Sequence, residues 1–258
     1  MRIAIVTALF DINREKLGDG RKIQEYLSWF EKTLKLKCDF VVYTEEKFKK
    51  FVEENRKNAD YKTTIVTQNL DQIPYFKYRE VINLIINSLE YRSKIKDVSR
   101  IECNLPEYNV IQYSKFGWLE HAVQNYSYDY IFWMDAGCSR FFNGFDLETE
   151  WPNKLKLDID KLTIQGNANY LKMFDILDIN EYIWDNNCVL VGTLFGGGCK
   201  ILLKLYEEIN NIFEFMTKFN CINNEQFALA IFAKQNRNLT KIIVQLDGTH
   251  LPLFRLIG

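Results

Sequence analysis

The feature that most constrains the fold is an alternation of short apolar runs with longer amphipathic segments, which starts at the first residues of the chain. Between the short runs, apolar residues recur three or four positions apart, as Ile23, Leu27, Phe30 and Leu34 do, which predicts helices. The alternation predicts an α/β fold in which a central, mostly parallel sheet is flanked by helices. The short runs have the character of buried strands and are Ile3–Val6, Phe40–Tyr43, Thr63–Thr67, Tyr130–Met134, Val189–Val191 and Ile242–Val244.

The middle of the chain has less distinct boundaries. Pro74 is predicted to open a long helical region, with Val81, Ile82, Ile85 and Leu89 along one side. Residues 93–108 are polar and contain Pro106, so they are predicted to form a loop. A further helix is predicted where Phe116, Leu119 and Val123 share one face.

Composition limits the classes of protein that the chain can belong to. Of its 258 residues, 47% are hydrophobic and 26% are charged, which is typical of a globular protein. With 33 basic and 34 acidic residues the net charge is −1, so the strongly basic balance of many nucleic-acid-binding domains is absent. No apolar run approaches the ~18 residues that a membrane span needs. Six cysteines occur without a CxxC pair, which favours reduced thiols in a cytosol.

Ligands of open α/β sheets bind beyond the carboxyl ends of the strands. Four predicted strand ends carry polar or glycine-rich residues: 7–11, 135–138, 196–198 and 247–250. Asp135 is the sharpest candidate, because five apolar residues lead directly into it and the small residues Ala136 and Gly137 follow. A carboxylate there suits a divalent cation, and small residues let phosphate oxygens approach the backbone. The alternative is an aspartate that simply starts a turn.

Asp247 and His250 form a second candidate, because a carboxylate and an imidazole after a strand suit a shared metal ion. The alternative for His250 is an incidental histidine in a loop. The other histidine, His121, lies in a predicted helix and is interpreted as structural. Cys138 follows a strand, but no histidine is placed in the sequence to activate it, so it is interpreted as a passive thiol.

The glycine triplet Gly196, Gly197 and Gly198 does not carry a known phosphate-binding motif. A P-loop needs a glycine before its lysine, whereas Cys199 precedes Lys200 here, and the dinucleotide-binding pattern also lacks its last glycine. The triplet therefore predicts only that the backbone comes close to something. That neighbour is either a substrate or a packed segment of the chain.

Together these residues resemble glycosyltransferases of the GT-A type and, more narrowly, the bacterial HtrL/YibB-like family. The resemblance implies a single GT-A-like (Rossmann-like) domain over 1–258, with its nucleotide-binding part at about 1–140 and its acceptor and catalytic part at about 141–258. The stretches that carry it are Tyr113–Leu119 and Tyr128–Gly137, supported by Ile5–Thr7, Leu194–Gly198 and Asn224–Gln226.

The resemblance also implies roles for the first strand and the metal motif. Thr7 and Ala8 would bind the nucleotide, and Asp135 would be the first aspartate of a D-x-D motif that holds Mn²⁺ or Mg²⁺ and the donor diphosphate. Gly137 stands where the second aspartate of that motif is expected. This departure shifts weight to Asp247 and His250 as the remaining metal ligands.

Further roles follow from the same resemblance. Lys115 would reach the nucleotide or diphosphate, the alternative being a solvated lysine at a helix start. The triplet 196–198 would lie under the donor sugar and the acceptor. Glu225 and Gln226 would be catalytic residues at the helix start beside the reacting centre, with Glu225 as the general base on an acceptor hydroxyl of an inverting enzyme. The alternative is a glutamate that the helix dipole favours at a helix start.

The activity expected from the resemblance is transfer of a sugar from a nucleotide-sugar donor to a glycan or lipid-linked glycan in bacterial surface polysaccharide (lipopolysaccharide) synthesis. The expected location is the cytoplasm, with peripheral contact at the inner face of the membrane as an option. Neither a nucleic-acid partner nor a transmembrane segment is expected. The alternatives are a metal-dependent phosphohydrolase or nucleotidyltransferase, and a nucleotide-sugar-binding protein without catalysis. The donor sugar, the acceptor, the anomeric outcome and the oligomeric state do not follow from the sequence.

Overall fold

The computed structural model describes residues 1–142, 145–168, 174–175, 178–185 and 187–245. These residues build a seven-stranded sheet with helices on both faces. The strands are β1 (Ile3–Leu9), β2 (Asp39–Thr44), β3 (Thr63–Thr67), β4 (Tyr130–Met134), β5 (Leu162–Asn167), β6 (Leu190–Gly198) and β7 (Thr240–Gln245). The helices are α1 (Arg14–Leu17), α2 (Ile23–Thr33), α3 (Glu46–Arg56), α4 (Arg79–Asn87), α5 (Leu89–Lys94), α6 (Pro106–Asn125), α7 (Ile179–Tyr182), α8 (Cys199–Lys218) and α9 (Glu225–Gln235).

The strand order across the sheet is β3-β2-β1-β4-β6-β5-β7. β6 runs antiparallel to its neighbours β4 and β5, and the other pairings are parallel. The predicted mostly parallel sheet flanked by helices is therefore confirmed. The chain moves outward from β1 to β3 and then returns to the other side of β1 as β4. This reversal creates a topological switch point between β1 and β4, where α/β sheets open a crevice for ligands.

Both faces of the sheet are buried, as the continuous apolar character of the strands predicts. Along β4, Tyr130, Phe132 and Met134 point into the core that α2 and α3 cover. Ile131 and Trp133 point into the opposite core, which contains α4, α6, α8 and α9. Side chains of a strand alternate between faces, so β4 contributes to both cores. No helix in the described part of the chain is long and apolar enough to cross a membrane.

Helix α6 is longer than the sequence pattern predicts. Residues 93–108 were expected to form a loop, but α6 begins at Pro106 and continues to Asn125. Proline suits the first helical position, because its missing N–H has no partner there in any case. Lys115 consequently lies in the middle of a buried helix and not at a helix start. The long helix expected after Pro74 is also different, since α4 begins only at Arg79.

The glycine triplet does not end its strand at the site edge of the sheet. β6 continues through the triplet to Gly198, which pairs with Tyr130 at the amino end of β4, while Asp135 follows the carboxyl end. A Cβ atom at Gly196 would lie 2.5 Å from the Phe132 ring, and one at Gly198 would overlap the carbonyl oxygen of Ile159. The glycine triplet therefore packs against a neighbouring segment of the chain, which is the second of the two alternatives. Its expected place beneath a donor sugar does not fit, because this end of β6 lies at the edge of the sheet opposite to Asp135.

This packing predicts a loss of stability in Gly198→Ala. The added methyl group would press on the Ile159 backbone, so we expect the free energy of unfolding to fall by about 1–3 kcal/mol in urea denaturation. Gly197→Ala is a matched control, because its Cβ would lie 3.3 Å from the carbonyl oxygen of Lys161 and should cost less. Wild-type stability of Gly198→Ala would contradict this packing role.

Candidate functional site

A pocket of about 170 Å³ lies at the switch point between β1 and β4. It is open at the carboxyl ends of both strands, the position at which α/β sheets bind ligands. Its lining combines aromatic rings with charged side chains of both signs. The lining residues are 8–15 around the end of β1, Arg21, Ile23 and Tyr26 near the start of α2, Tyr108, Ile111, Gln112 and Lys115 of α6, and Trp133, 135–137 and Arg140 beyond β4.

Lys115 connects the pocket to the interior of the protein. Its Nζ atom lies 3.1 Å from Asp135 Oδ1 and 2.7 Å from Glu225 Oε1, and it donates a hydrogen bond of 3.3 Å to the Gly192 carbonyl oxygen. These three acceptors match the three donors of an ammonium group. Lys115 and Glu225 are buried, whereas the Asp135 side chain is 27% exposed. The ammonium group therefore joins a buried carboxylate to a carboxylate of the pocket.

The electrostatics of this group follow from one cation shared by two carboxylates. Burial alone would lower the pKa of Lys115, but the neighbouring Asp135 and Glu225 carboxylates outweigh it, and its pKa is raised. Burial raises the pKa of Glu225 and exceeds the opposing attraction of Lys115. Lys115 therefore holds its proton firmly and neutralises one of the two carboxylates.

Two features fix the orientation of these carboxylates. The Trp133 indole Nε1 donates a hydrogen bond of 2.8 Å to Asp135 Oδ1, the same oxygen that faces Lys115. A Cβ atom at Gly192 would overlap Glu225 Oε1, so the glycine in β6 makes room for the Glu225 side chain. The second oxygen of Asp135, Oδ2, receives no hydrogen bond from the described part of the protein.

Three arginines surround the pocket, and the sequence patterns did not single them out. Arg14 makes a bidentate pair with Asp19 at 2.6 and 2.7 Å, and its third nitrogen donates to Tyr26 Oη at 2.7 Å. Arg21 and Arg140 instead lie over aromatic rings of the α2 region. Their one sequence signal is their place in the segments that follow β1 and β4.

The described residues do not provide the donor set for the divalent cation that the GT-A resemblance implies. Asp135 Oδ1 is already engaged by Lys115 and Trp133. Gly137 supplies no carboxylate, and within the described ranges no group of three or more His, Cys, Asp and Glu residues could hold a metal ion. Asp247 and His250 lie outside the described residues, so their role as metal ligands stays a prediction.

The remaining predicted site residues are placed as follows. Ala8 lines the pocket, whereas Thr7 is buried within β1 and is not among the lining residues. Glu225 lies behind Lys115 with 3% of its side chain exposed, so the predicted contact with an acceptor hydroxyl does not fit its position in this structure. Gln226, also predicted as catalytic, is the second residue of α9. Its backbone N–H donates to Asn224 Oδ1 at 3.1 Å, and it does not line the pocket either.

The surroundings of His121 and Cys138 agree with their interpretation as non-catalytic residues. His121 Nδ1 lies 2.8 Å from Tyr43 Oη in a half-buried contact between α6 and β2. Cys138 is fully buried, and this burial raises the pKa of its thiol well above the usual value. A thiol that keeps its proton is a poor nucleophile.

The fold and the pocket define an α/β protein with a pocket at the switch point of its sheet. The chain matches, over residues 1–258, the model of a family described as "Bacterial protein of unknown function (HtrL_YibB)", and it belongs to this family. A search of the curated proteins finds no match. Among solved structures, the chain is similar to mouse xyloside xylosyltransferase 1 in its apo form, with 8% sequence identity and a TM-score of 0.45. That similarity covers 94% of this chain and 85% of the mouse chain.

The buried ion pairs predict a large stability loss in Lys115→Met. Removing the ammonium group leaves Glu225 without its counterion, so we expect the free energy of unfolding to fall by about 3–5 kcal/mol in urea denaturation. The double variant Lys115→Met/Glu225→Gln should recover part of this loss, because the buried carboxylate is then neutral. Lys50→Met, at a side chain that is 85% exposed, is the matched control and should change little. If Lys115→Met were as stable as Lys50→Met, the role given to Lys115 would be contradicted.

Proposed function

We propose that this protein transfers a sugar from a nucleotide-sugar donor to a glycan or lipid-linked glycan acceptor in the synthesis of a bacterial surface polysaccharide. The observation that carries the proposal is the switch-point pocket, in which a partly exposed carboxylate, guanidinium groups and aromatic rings converge. A nucleotide sugar presents hydroxyl groups, a diphosphate and a flat base, which are the chemical complements of these three kinds of side chain. The GT-A resemblance of the sequence around Asp135 supports the same assignment.

The pocket offers a distinct partner for each part of such a donor. Arginine side chains bind phosphate oxygens through charge-assisted hydrogen bonds. Asp135 Oδ2 is available to accept hydrogen bonds from sugar hydroxyls, because Oδ1 is occupied by Lys115 and Trp133. Rings such as those of Phe10 and Tyr26 offer flat apolar surfaces. The volume of about 170 Å³ is below the range of roughly 300–1,000 Å³ usual for ligand pockets, so part of the donor would extend beyond it.

Glycosyl transfer makes clear demands on such a site. The acceptor oxygen forms a bond to the anomeric carbon while the bond from that carbon to the diphosphate oxygen breaks. The sugar gains oxocarbenium character, and negative charge develops on the leaving diphosphate. Fixed cations beside the diphosphate stabilise that charge in the transition state. The arginines of the pocket would supply such cations, and the acceptor proton would leave to solvent.

A second candidate function is nucleotide-sugar binding without turnover. One observation favours it: Glu225, the residue that the sequence suggested as general base, is buried behind Lys115 and bonded to its ammonium group. A protein that kept the binding pocket without an accessible base would bind donors and transfer nothing. Turnover and binding must therefore be measured on the same preparation.

The test of the proposal is a donor screen with the purified full chain. UDP-, GDP- and CMP-sugars are supplied with a panel of glycan acceptors, each with and without Mn²⁺. We expect release of an intact nucleoside diphosphate, or of CMP from a CMP-sugar, together with a glycosylated acceptor. Binding in calorimetry without any product would favour the second candidate, and release of inorganic phosphate would indicate a phosphohydrolase. The proposal fails if no nucleotide sugar is bound or consumed.

Asp135→Asn is predicted to lower the turnover of the protein on the order of 10²-fold, because the amide replaces a carboxylate that faces the donor. The asparagine can still accept the Trp133 hydrogen bond, so we expect only a small fall in the melting temperature beside the large loss of activity. Asp129→Asn is a matched control at the opposite end of β4, where the carboxylate accepts the Arg2 backbone N–H at 2.6 Å. If both variants turned over equally fast, Asp135 would have no role at the reacting centre.

A further inference from the structure

The arginines of the pocket are held together by two aromatic residues of α2. The Tyr26 hydroxyl receives hydrogen bonds from Arg14 at 2.7 Å and from Arg21 at 3.5 Å. The Arg21 guanidinium lies 5.8 Å from the centre of the Trp29 ring, and the Arg140 guanidinium lies 5.2 Å from the same ring. Tyr26 and Trp29 thus gather three cations at one side of the pocket.

This arrangement places like charges close together. Because Arg14 and Arg21 bond to one hydroxyl oxygen, their nearest nitrogens lie roughly 6 Å apart or less and the two groups repel each other. The acidic groups around the pocket already have cationic partners: Asp19 pairs with Arg14, Asp11 lies 3.5 Å from Lys47, Glu15 lies 3.9 Å from Lys22, and Asp135 pairs with Lys115. Arg21 and Arg140 make no ion pair with any carboxylate of the described residues. Asp19 offsets the charge of Arg14 in part, and a bound anion would offset the remaining positive charge of Arg21 and Arg140.

Arg14 is oriented so that donors remain for such an anion. A guanidinium has five N–H donors. Three of them are directed to Asp19 and Tyr26, which fixes the plane of the group, and it lies 4.9 Å from the centre of the Tyr108 ring. One N–H on each terminal nitrogen is left. A guanidinium held in this way loses little further freedom when it binds a phosphate.

Gly137 connects the arginine group to the altered metal motif. A Cβ atom at Gly137 would lie 3.1 Å from Trp29 Cε3 and 3.7 Å from the Tyr26 ring, so the two rings that hold the arginines pack against this glycine. An aspartate there, as a D-x-D motif would have, would push against Trp29. The glycine at the second motif position thus leaves room for the two rings that support the cations.

We propose that Arg14, Arg21 and Arg140 bind the pyrophosphate group of a nucleoside diphosphate or nucleotide sugar in the switch-point pocket, and that this binding needs no divalent cation. The identity of the ligand rests on the proposed function, whereas recognition of the pyrophosphate rests on the arginines alone. In this arrangement the guanidinium groups neutralise the charge that the D-x-D metal would otherwise neutralise.

Calorimetry on the full chain tests this inference. UDP, GDP, UMP and inorganic pyrophosphate are titrated in the presence of EDTA and again with Mn²⁺. We expect at least one nucleoside diphosphate to bind in EDTA, UMP to bind more weakly because it lacks the second phosphate, and Mn²⁺ to change the affinity little. The affinity should fall as salt is raised, because the contacts are ionic.

Arginine variants connect the binding to the proposed residues. Arg21→Gln and Arg140→Gln should each weaken diphosphate binding in EDTA roughly tenfold, the loss expected for one charge-assisted contact. Arg21→Lys and Arg140→Lys should lose less, because they keep the charge and give up the planar fork. These side chains lie at the pocket surface, and unchanged melting temperatures will show that the variants fold. Arg2→Gln, before the amino end of β1, is the matched control and should bind as wild type.

The outcomes separate this inference from the proposed function. Binding only with Mn²⁺, or binding in EDTA that Arg21→Gln and Arg140→Gln leave unchanged, would overturn the arginine assignment while glycosyl transfer stood. Pyrophosphate binding that the arginine variants weaken, with no nucleotide or nucleotide sugar bound, would keep the anion site and overturn the proposed function. If neither pyrophosphate nor any nucleotide binds under either condition, both fail.

Discussion

The pocket depends on the buried ammonium group of Lys115. Its three hydrogen bonds reach the residue after β4, the carbonyl of Gly192 in β6 and the first residue of α9, so one atom connects three elements that are distant in sequence. A buried charge is tolerated only with its partners in place, which ties the position of α6 on the sheet to the positions of Asp135 and Glu225. The wall of the pocket is therefore fixed by an interaction that lies mostly beneath it.

The same interaction determines which charges the pocket presents. The negative charge of Glu225 is confined to the interior, and Asp135 is partly neutralised by Lys115. The guanidinium groups of Arg21 and Arg140 meet aromatic faces instead of carboxylates among the described residues. A chain with a net charge of −1 thereby presents three guanidinium groups at one side of the pocket without a basic surface as a whole. A site for a small diphosphate needs no more than this, because its charge is recognised at short range.

The sequence predicted the parts of the fold that local patterns encode. β1, β2, β3, β4 and β7 are continuous apolar or β-branched runs, and Asp135 stands out because a polar residue ends one of them. β5 was missed, since Thr163 and Gln165 interrupt its apolar pattern, yet both are buried within the sheet. Only the second half of α6 was recognised, because polar and apolar residues alike are buried around the helix and weaken its periodicity. The glycine triplet does end β6, but at the edge of the sheet opposite to Asp135, because β6 pairs antiparallel with β4 and no local signal gives a strand's direction.

The role of Glu225 shows what local patterns could not decide. A glutamate at the start of a helix is equally compatible with a catalytic base, a helix-dipole contact and a buried counterion. What distinguishes these roles is Lys115, which lies 110 residues away in the chain and meets Glu225 only in the folded structure. At Gly137 the sequence shows the departure from the D-x-D motif, but only the structure shows which side chains pack against this glycine. There a side chain would begin 3.1 Å from Trp29, the residue whose ring also lies under the Arg21 guanidinium, so the glycine and the placement of the arginines depend on the same ring.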